Sequence, residues 1–193
     1  MTNSYEVSTV DFPGLQLSIR EYSFSPVNAN QVWPAAQQFA AWISAHWDLF
    51  QGKRVLELGS GCGALGIWLA RKGLTVTTSD YTDRCIEENI RQNCALNGLQ
   101  PLPHVQHIWG TEFPREALGG FDTVLGSDVL IYRTEYANLV RTLGQLLGRG
   151  AVCYLSNRRR VDTEADFLFL CRSSGLCIEN LGSKVFEITK DST

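Results

Sequence analysis

Glu57 stands two residues before a run in which glycine recurs at positions 59, 61, 63 and 66. Val55-Leu56-Glu57-Leu58 reads as a strand, Gly59-Ser60-Gly61-Cys62-Gly63 as a tight turn, and the residues from Ala64 as a helix. Glycine permits positive φ and lets a ligand approach the backbone within van der Waals contact, while the unpaired N–H groups at the helix start form a polar rim. Such a turn suits a cofactor. Gly61-Cys62-Gly63-Ala64-Leu65-Gly66 also satisfies the GxGxxG pattern of dinucleotide-binding turns. Glu57 weighs the other way, because a carboxylate at the strand end repels a pyrophosphate but pairs with the ammonium of an amino-acid-like ligand.

Asp80 follows the glycine turn by about twenty residues, the spacing at which a carboxylate accepts both ribose hydroxyls of an adenosine. S-adenosyl-L-methionine carries an adenosine, an ammonium and a sulfonium, so it answers both acids. Trp33 before Pro34 and Trp109 before Gly110 are placed to face a cleft, and Ser127-Asp128 ends the apolar stretch Phe121–Gly126. In open α/β sheets ligands bind beyond the carboxyl ends of the strands, and Glu57, Asp80, Trp109 and Asp128 each fall on such an end. An NAD-linked oxidoreductase stays open as a second reading. It lacks a recognisable acid on the hydride side, since His46, His104 and His107 hold no compelling strand-end position.

The elements that must position these residues alternate. An N-terminal β-hairpin is expected, with arms near 5–11 and 15–24 around Asp11-Phe12-Pro13-Gly14. A helix over 31–50 repeats Ala35, Phe39, Ile43 and Trp47 at fourth positions and tolerates Pro34 in its first turn. Then follow a strand at 54–58, a helix at 63–72, a strand at 74–80, a helix at 82–97, and strands at 104–109 and 121–126. A helix at 135–147 has Thr134 as its cap. A strand at 150–156 leads to the basic run Arg158-Arg159-Arg160, read as a solvated loop or as a clamp for an acidic partner. A helix from Asp162 or Thr163 stops at Gly175, and two short strands at 176–181 and 184–189 make an antiparallel hairpin at the sheet edge. The order is that of a doubly wound α/β fold.

Composition bounds the function. With 193 residues, 44% of them hydrophobic, and a formal charge of −3, the chain suits one domain over 1–193, its hairpin extension at 1–30 preceding a core at 31–193. The charge gives no footprint for nucleic acid or an anionic membrane. Six cysteines show no CxxC pair and no histidine at zinc spacing, so they read as reduced core thiols, and no metal is expected. The N-terminus lacks a basic region followed by an apolar one, and no apolar run reaches spanning length. A cytoplasmic protein is expected, with the nucleus also open to it, acting as a monomer.

Over about residues 30 to 190 the chain resembles the seven-strand S-adenosylmethionine-dependent methyltransferases, and more narrowly methyltransferase family 16, the small protein lysine methyltransferases. The resemblance rests on Val32-Trp33-Pro34-Ala35-Ala36, Val55 to Gly66, Thr78-Ser79-Asp80-Tyr81, Asn89 through Asn97, Trp109-Gly110, and Phe121-Asp122 through Ser127-Asp128, in that order. It implies a Rossmann-like sheet of seven strands, mostly parallel with an antiparallel edge strand. It further implies that Glu57, Gly59, Ser60 and Gly61 cradle the methionine part and that Asp80, with Tyr81 beside it, binds the ribose. Trp109 would lie against the adenine and Trp33 would line the pocket. Ser127 and Asp128 would sit where the sulfonium faces a protein substrate, with Asp128 and Tyr132 as the catalytic pair. The family usually carries a tyrosine three residues after the aspartate. Here Ile131 holds that place and Tyr132 comes one later. A methyltransferase acting on a small molecule or another residue, and a non-catalytic binding module retaining the cofactor fold, are the remaining alternatives.

Overall fold

The computed structural model describes residues 4–25, 28–118, 120–157 and 164–190. Seven strands form one sheet in the order β5-β4-β3-β6-β7-β9-β8: β3 (Arg54–Leu58), β4 (Thr75–Asp80), β5 (His104–Gln106), β6 (Thr123–Ser127), β7 (Val152–Ser156), β8 (Leu176–Asn180) and β9 (Val185–Lys190). β5, β4, β3, β6 and β7 pair in parallel. The terminal hairpin adds the antiparallel pairing at the edge, with β9 running against β7 and β8 closing outside it. Ahead of the sheet, β1 (Tyr5–Phe12) and β2 (Leu15–Tyr22) form the expected separate hairpin. The helices are α1 (Pro34–Ala45), α2 (Ala64–Arg71), α3 (Arg84–Leu96), α4 (Tyr136–Leu146) and α5 (Glu164–Ser173).

The strands' period of two divides the core between the sheet's faces. Val55, Val76 and Leu125 join the cluster under the hairpin and α1 to α3, whereas Leu56, Leu58 and Val124 join the one built with α4. Glu57 shares the face of Val55, which turns its carboxylate toward α2.

The hairpin is fastened by side chains. Asn89 and Asn93 on α3 and Asn97 at its C-terminal cap recur at every fourth position and are all buried. Asn97 Oδ1 accepts the Ser18 N–H at 3.0 Å while its Nδ2 donates to the Ser18 carbonyl at 2.8 Å. Asn93 Oδ1 accepts the Arg20 N–H at 2.7 Å, and Asn89 Oδ1 accepts from Arg20 Nε at 2.9 Å. These amides pair the backbone edge that β2 would otherwise bury unsatisfied. Asn93 Nδ2 also donates to the Cys62 carbonyl at 2.9 Å, joining the hairpin's anchor to the glycine turn.

Several expectations are corrected. The helix expected over 31–50 begins at Pro34 and breaks at His46 into a short 3-10 turn over Trp47–Leu49. The strand expected over 104–109 ends at Gln106, so Trp109 lies on the following turn. Thr134 does not cap α4. It sits inside a 3-10 turn over Arg133–Glu135 that feeds directly into the helix. Of the six cysteines, Cys85 and Cys177 are exposed and the other four buried. Arg158-Arg159-Arg160, Asp162 and Thr163 lie outside the described residues. Among the described residues no helix is long and apolar enough to cross a membrane.

Candidate active site

The cleft opens where β3 and β6 run side by side and the chain departs to opposite halves of the sheet, the switch point at which such sheets take ligands. Its volume is ≈ 480 Å³. The floor is the turn between β3 and α2. Gly59 there has φ +65°, and a Cβ on it would lie 2.9 Å from Val129 Cγ1. Only glycine meets both demands. Ser60 locks the turn to the neighbouring strand, its N–H and its hydroxyl each donating to the Ser79 carbonyl at 3.1 Å. The Cys62 thiol is pushed up to about 12 by burial, which removes it from nucleophilic chemistry at neutral pH.

Glu57 is 3% exposed, and its Oε2 accepts the Gly66 N–H at 3.0 Å. Gly66 is the third residue of α2, so this N–H is one of the four that a helix start leaves unpaired. A Cβ on Gly66 would come 2.7 Å from Glu57 Oε2. The last glycine of the GxGxxG pattern therefore makes room for the chain's own carboxylate at the helix N-terminus, where a dinucleotide fold receives its pyrophosphate. Burial pushes the Glu57 carboxyl up to about 8; the Gly66 bond opposes that rise and the charge of Asp80 adds to it.

Asp80 at the end of β4 holds the turn from the side. Its Oδ2 accepts the Gly61 N–H and its Oδ1 the Tyr81 N–H, both at 2.7 Å. Each oxygen has lone-pair capacity left for a further donor. Burial raises its pKa against the pull of those two bonds. Asp80 does not cap α3; Asp83 does, accepting the Cys85 N–H at 2.8 Å.

Tyr81, His107, Ile108 and Trp109 line the wall beyond β4 and β5. The Gly110 N–H donates to Thr142 Oγ1 at 2.9 Å, which docks the Trp109 turn on α4. His107, set aside in the sequence for want of a strand-end position, follows directly on β5. It is buried, and desolvation lowers its pKa against the opposing pull of the Thr111 backbone.

Ser127, Asp128, Val129, Ile131, Tyr132 and Glu135 line the opposite end. Ser127 Oγ is buried without a partner. Asp128 has φ +55° and donates its N–H to the Ser156 carbonyl at 2.7 Å; for a residue other than glycine that backbone is uncommon, and it is concentrated at functional sites. Trp33 lines the cleft from the segment before α1, its Nε1 donating to the Asn28 carbonyl at 3.0 Å.

All eleven residues expected at the site thus line one cleft. Asn28, Glu135 and Asn138 join them without any signal in the sequence, since no spacing or motif marks them and only the fold brings them there. Glu57, Asp80, Asp128 and Glu135 line the cleft, and no lysine or arginine does so among the described residues. This lining draws cations and repels phosphates. S-adenosyl-L-methionine fits the donor set: a buried acid for its ammonium, an acid with spare lone pairs for its ribose, an indole for its adenine, and an acidic lining for its sulfonium.

Comparison with known proteins agrees. Residues 11–174 match methyltransferase family 16, described as lysine methyltransferase. EEF1A lysine methyltransferase 3 of Mus musculus is 32% identical over 175 residues, covering 87% of this chain and 73% of its own length. Protein N-lysine methyltransferase METTL21A of Mus musculus is 28% identical over 165 residues, covering 84% of this chain and 75% of its own. Among solved structures, the T. thermophilus 16S rRNA N2 G1207 methyltransferase RsmC superposes with a TM-score of 0.70 at 18% identity, over 97% of this chain and 51% of that one, a likeness of fold. The chain therefore belongs to the lysine methyltransferase family, a group of S-adenosyl-L-methionine-dependent enzymes.

Proposed function

We propose that the two ends of the cleft divide the reaction, with Glu57, Gly59, Ser60, Gly61, Asp80, Tyr81, Trp109 and Trp33 holding the methyl donor and Ser127, Asp128 and Tyr132 receiving a lysine of a protein substrate. The observation that carries this reading is Glu57 at the start of α2: an anion site closed by the chain's own acid takes an ammonium and refuses a pyrophosphate. When bound, S-adenosyl-L-methionine supplies an electrophilic methyl group on a sulfonium. Glu57 pairs with the ammonium, Asp80 accepts from the ribose hydroxyls, and Trp109 and Trp33 cover apolar surface. The glycine turn gives close backbone approach.

At the acceptor end the acids work on a cation first. Asp128 and Glu135 attract a lysine ammonium, while Val129 and Ile131 remove water from its path and disfavour the charged form. The ammonium loses its proton to solvent at the cleft mouth; Asp128 then accepts an N–H hydrogen bond from the neutral amine and turns its lone pair toward the methyl carbon, so that a C–N bond would form as the C–S bond breaks and S-adenosylhomocysteine leaves. In-line displacement asks for alignment and exclusion of water, and no covalent bond to the enzyme is needed.

Calorimetry with S-adenosylhomocysteine tests the donor end: the wild type binds, and Asp80→Ala weakens binding by about two orders of magnitude. Labelled S-adenosyl-L-methionine with a methyl-poor cell extract tests the acceptor end. Label on protein lysine is expected; label confined to metabolites, or to arginine, would overturn the lysine assignment.

A further inference from the structure

The loop after β6 and the segment before α1 meet across the cleft through one hydrogen bond between residues 104 positions apart. Asn28 Nδ2 donates to Tyr132 Oη at 2.6 Å, and both residues line the cleft. Asn28 is held from several sides. Its backbone has φ +58°, its N–H donates to the Ser25 carbonyl at 3.3 Å, and its carbonyl accepts Trp33 Nε1 at 3.0 Å. Farther along the same segment, the Val32 N–H donates to Glu21 Oε1 at 2.6 Å. Ala29 is buried, its Cα 3.8 Å from where a Cβ on Gly61 would stand. The segment therefore lies along the glycine turn, braced by the hairpin at Glu21 and by Trp33. Tyr132, by contrast, is 53% exposed. An exposed tyrosine on a loop keeps rotamer freedom that packing does not remove.

We infer that Asn28 is a positioning residue for methyl transfer: it fixes the Tyr132 hydroxyl over the acceptor end of the cleft, so that a tyrosine one place late in the chain serves the site. The inference rests on the proposed role of that end as the lysine entrance. Its chemistry follows from the direction of the bond. Because the amide donates, the phenolic hydrogen is left to seek another acceptor, and Tyr132 Oη keeps a second lone pair for an amine N–H. A donor at position 28 therefore presents Tyr132 as both donor and acceptor, whereas an acceptor there would consume its hydrogen. Ile131, at the usual tyrosine place, lines the same cleft and adds an apolar wall beside the entering amine. The Asn28 carbonyl belongs to the backbone, so changing the side chain leaves the Trp33 bond in place. Donor binding and acceptor positioning can thus be separated at one residue.

The test uses the full chain, labelled S-adenosyl-L-methionine and the protein fraction of a methyl-poor extract, with initial rates followed against extract concentration. Tyr132→Phe and Asn28→Ala should each lower the limiting rate between roughly tenfold and a hundredfold. The double variant should fall no further than the worse single one, because the two act as a unit. Asn28→Asp tolerates the same backbone and keeps the shape but cannot donate, and it should lose rate as Asn28→Ala does. S-adenosylhomocysteine affinity and the thermal midpoint should stay near wild type in all four, which separates positioning from a general loss of structure. Full rate in Asn28→Ala, multiplying losses in the double variant, or loss of affinity in parallel with rate would each overturn the inference. A wild type that labels no protein would overturn the proposed function and this inference with it, an outcome distinct from active variants beside an active wild type.

Discussion

The two ends of the cleft are built differently. At the proposed donor end Glu57, Ser60, Gly61 and Asp80 sit at or just beyond the ends of strands and bond to backbone: Glu57 to Gly66, Ser60 to Ser79, Asp80 to Gly61 and Tyr81. At the proposed acceptor end Asp128, Ile131, Tyr132 and Glu135 stand on one irregular stretch after β6, with a positive φ at Asp128 and an exposed ring at Tyr132. A ligand common to many enzymes calls for a preformed site, and hydrogen bonds between adjacent strand ends supply it. Acceptor choice falls to loops, which can vary while the sheet stays fixed.

The largest effect should separate the ends most sharply. Asp128→Ala should lower turnover by roughly a thousandfold while changing S-adenosylhomocysteine affinity only a few-fold; parallel loss of both would erase the distinction. Next, Gly66→Ala should damage the donor end although alanine favours a helix. Its Cβ would meet Glu57 Oε2 at 2.7 Å, so the carboxylate must shift, and calorimetry should show affinity weakened by at least about tenfold. Unchanged affinity would mean that Glu57 does not hold the ammonium.

Glu57 also gives the donor end a pH signature. Its carboxyl is raised from 4.5 to about 8 in the folded chain, so the native state keeps a proton that the unfolded chain releases. The stability this contributes is complete below the unfolded value and is lost as pH rises from about 4.5 to about 8. Thermal unfolding of the ligand-free protein should therefore show a falling contribution across that window that Glu57→Gln removes. A bound ammonium favours the carboxylate, so binding at neutral pH should release a proton at Glu57. Calorimetry in buffers of different ionisation enthalpy measures it, and the release should vanish in Glu57→Gln.

The smallest effect concerns the hairpin. Asn97→Ala leaves the Ser18 N–H and carbonyl without their side-chain partners and should cost about 2 kcal/mol in urea unfolding, with cofactor affinity unchanged. Asn93→Ala, which also loses the bond to the Cys62 carbonyl, should lower both. If the two variants behave alike, the hairpin does not reach the glycine turn through Asn93.

The donor end was legible because its parts are local. Glycines at 59, 61, 63 and 66 prescribe a turn into a helix, Glu57 lies within the preceding strand, and Asp80 ends the next strand in the chain. Trp109 was legible as a cleft residue but not as a turn residue, since the strand before it stops at Gln106 and the docking of Gly110 on Thr142 supplies the bend. Thr134 looked like a cap by type alone; the chain continued from a 3-10 turn into α4 and needed none. Asn89, Asn93 and Asn97 were visible as a motif, yet their partners on β2 were not.

Spacing and residue type by themselves determined the alternation of strands and helices, the glycine turn and the acids at the strand ends, because each follows from backbone conformation and chain order. Only the tertiary structure decided that Glu57 occupies the start of α2, that four acids line one cleft with no lysine or arginine beside them among the described residues, and that Asn28 meets Tyr132. Those facts depend on which remote segments share a volume, and neither periodicity nor motif spacing records a distance between residues a hundred positions apart.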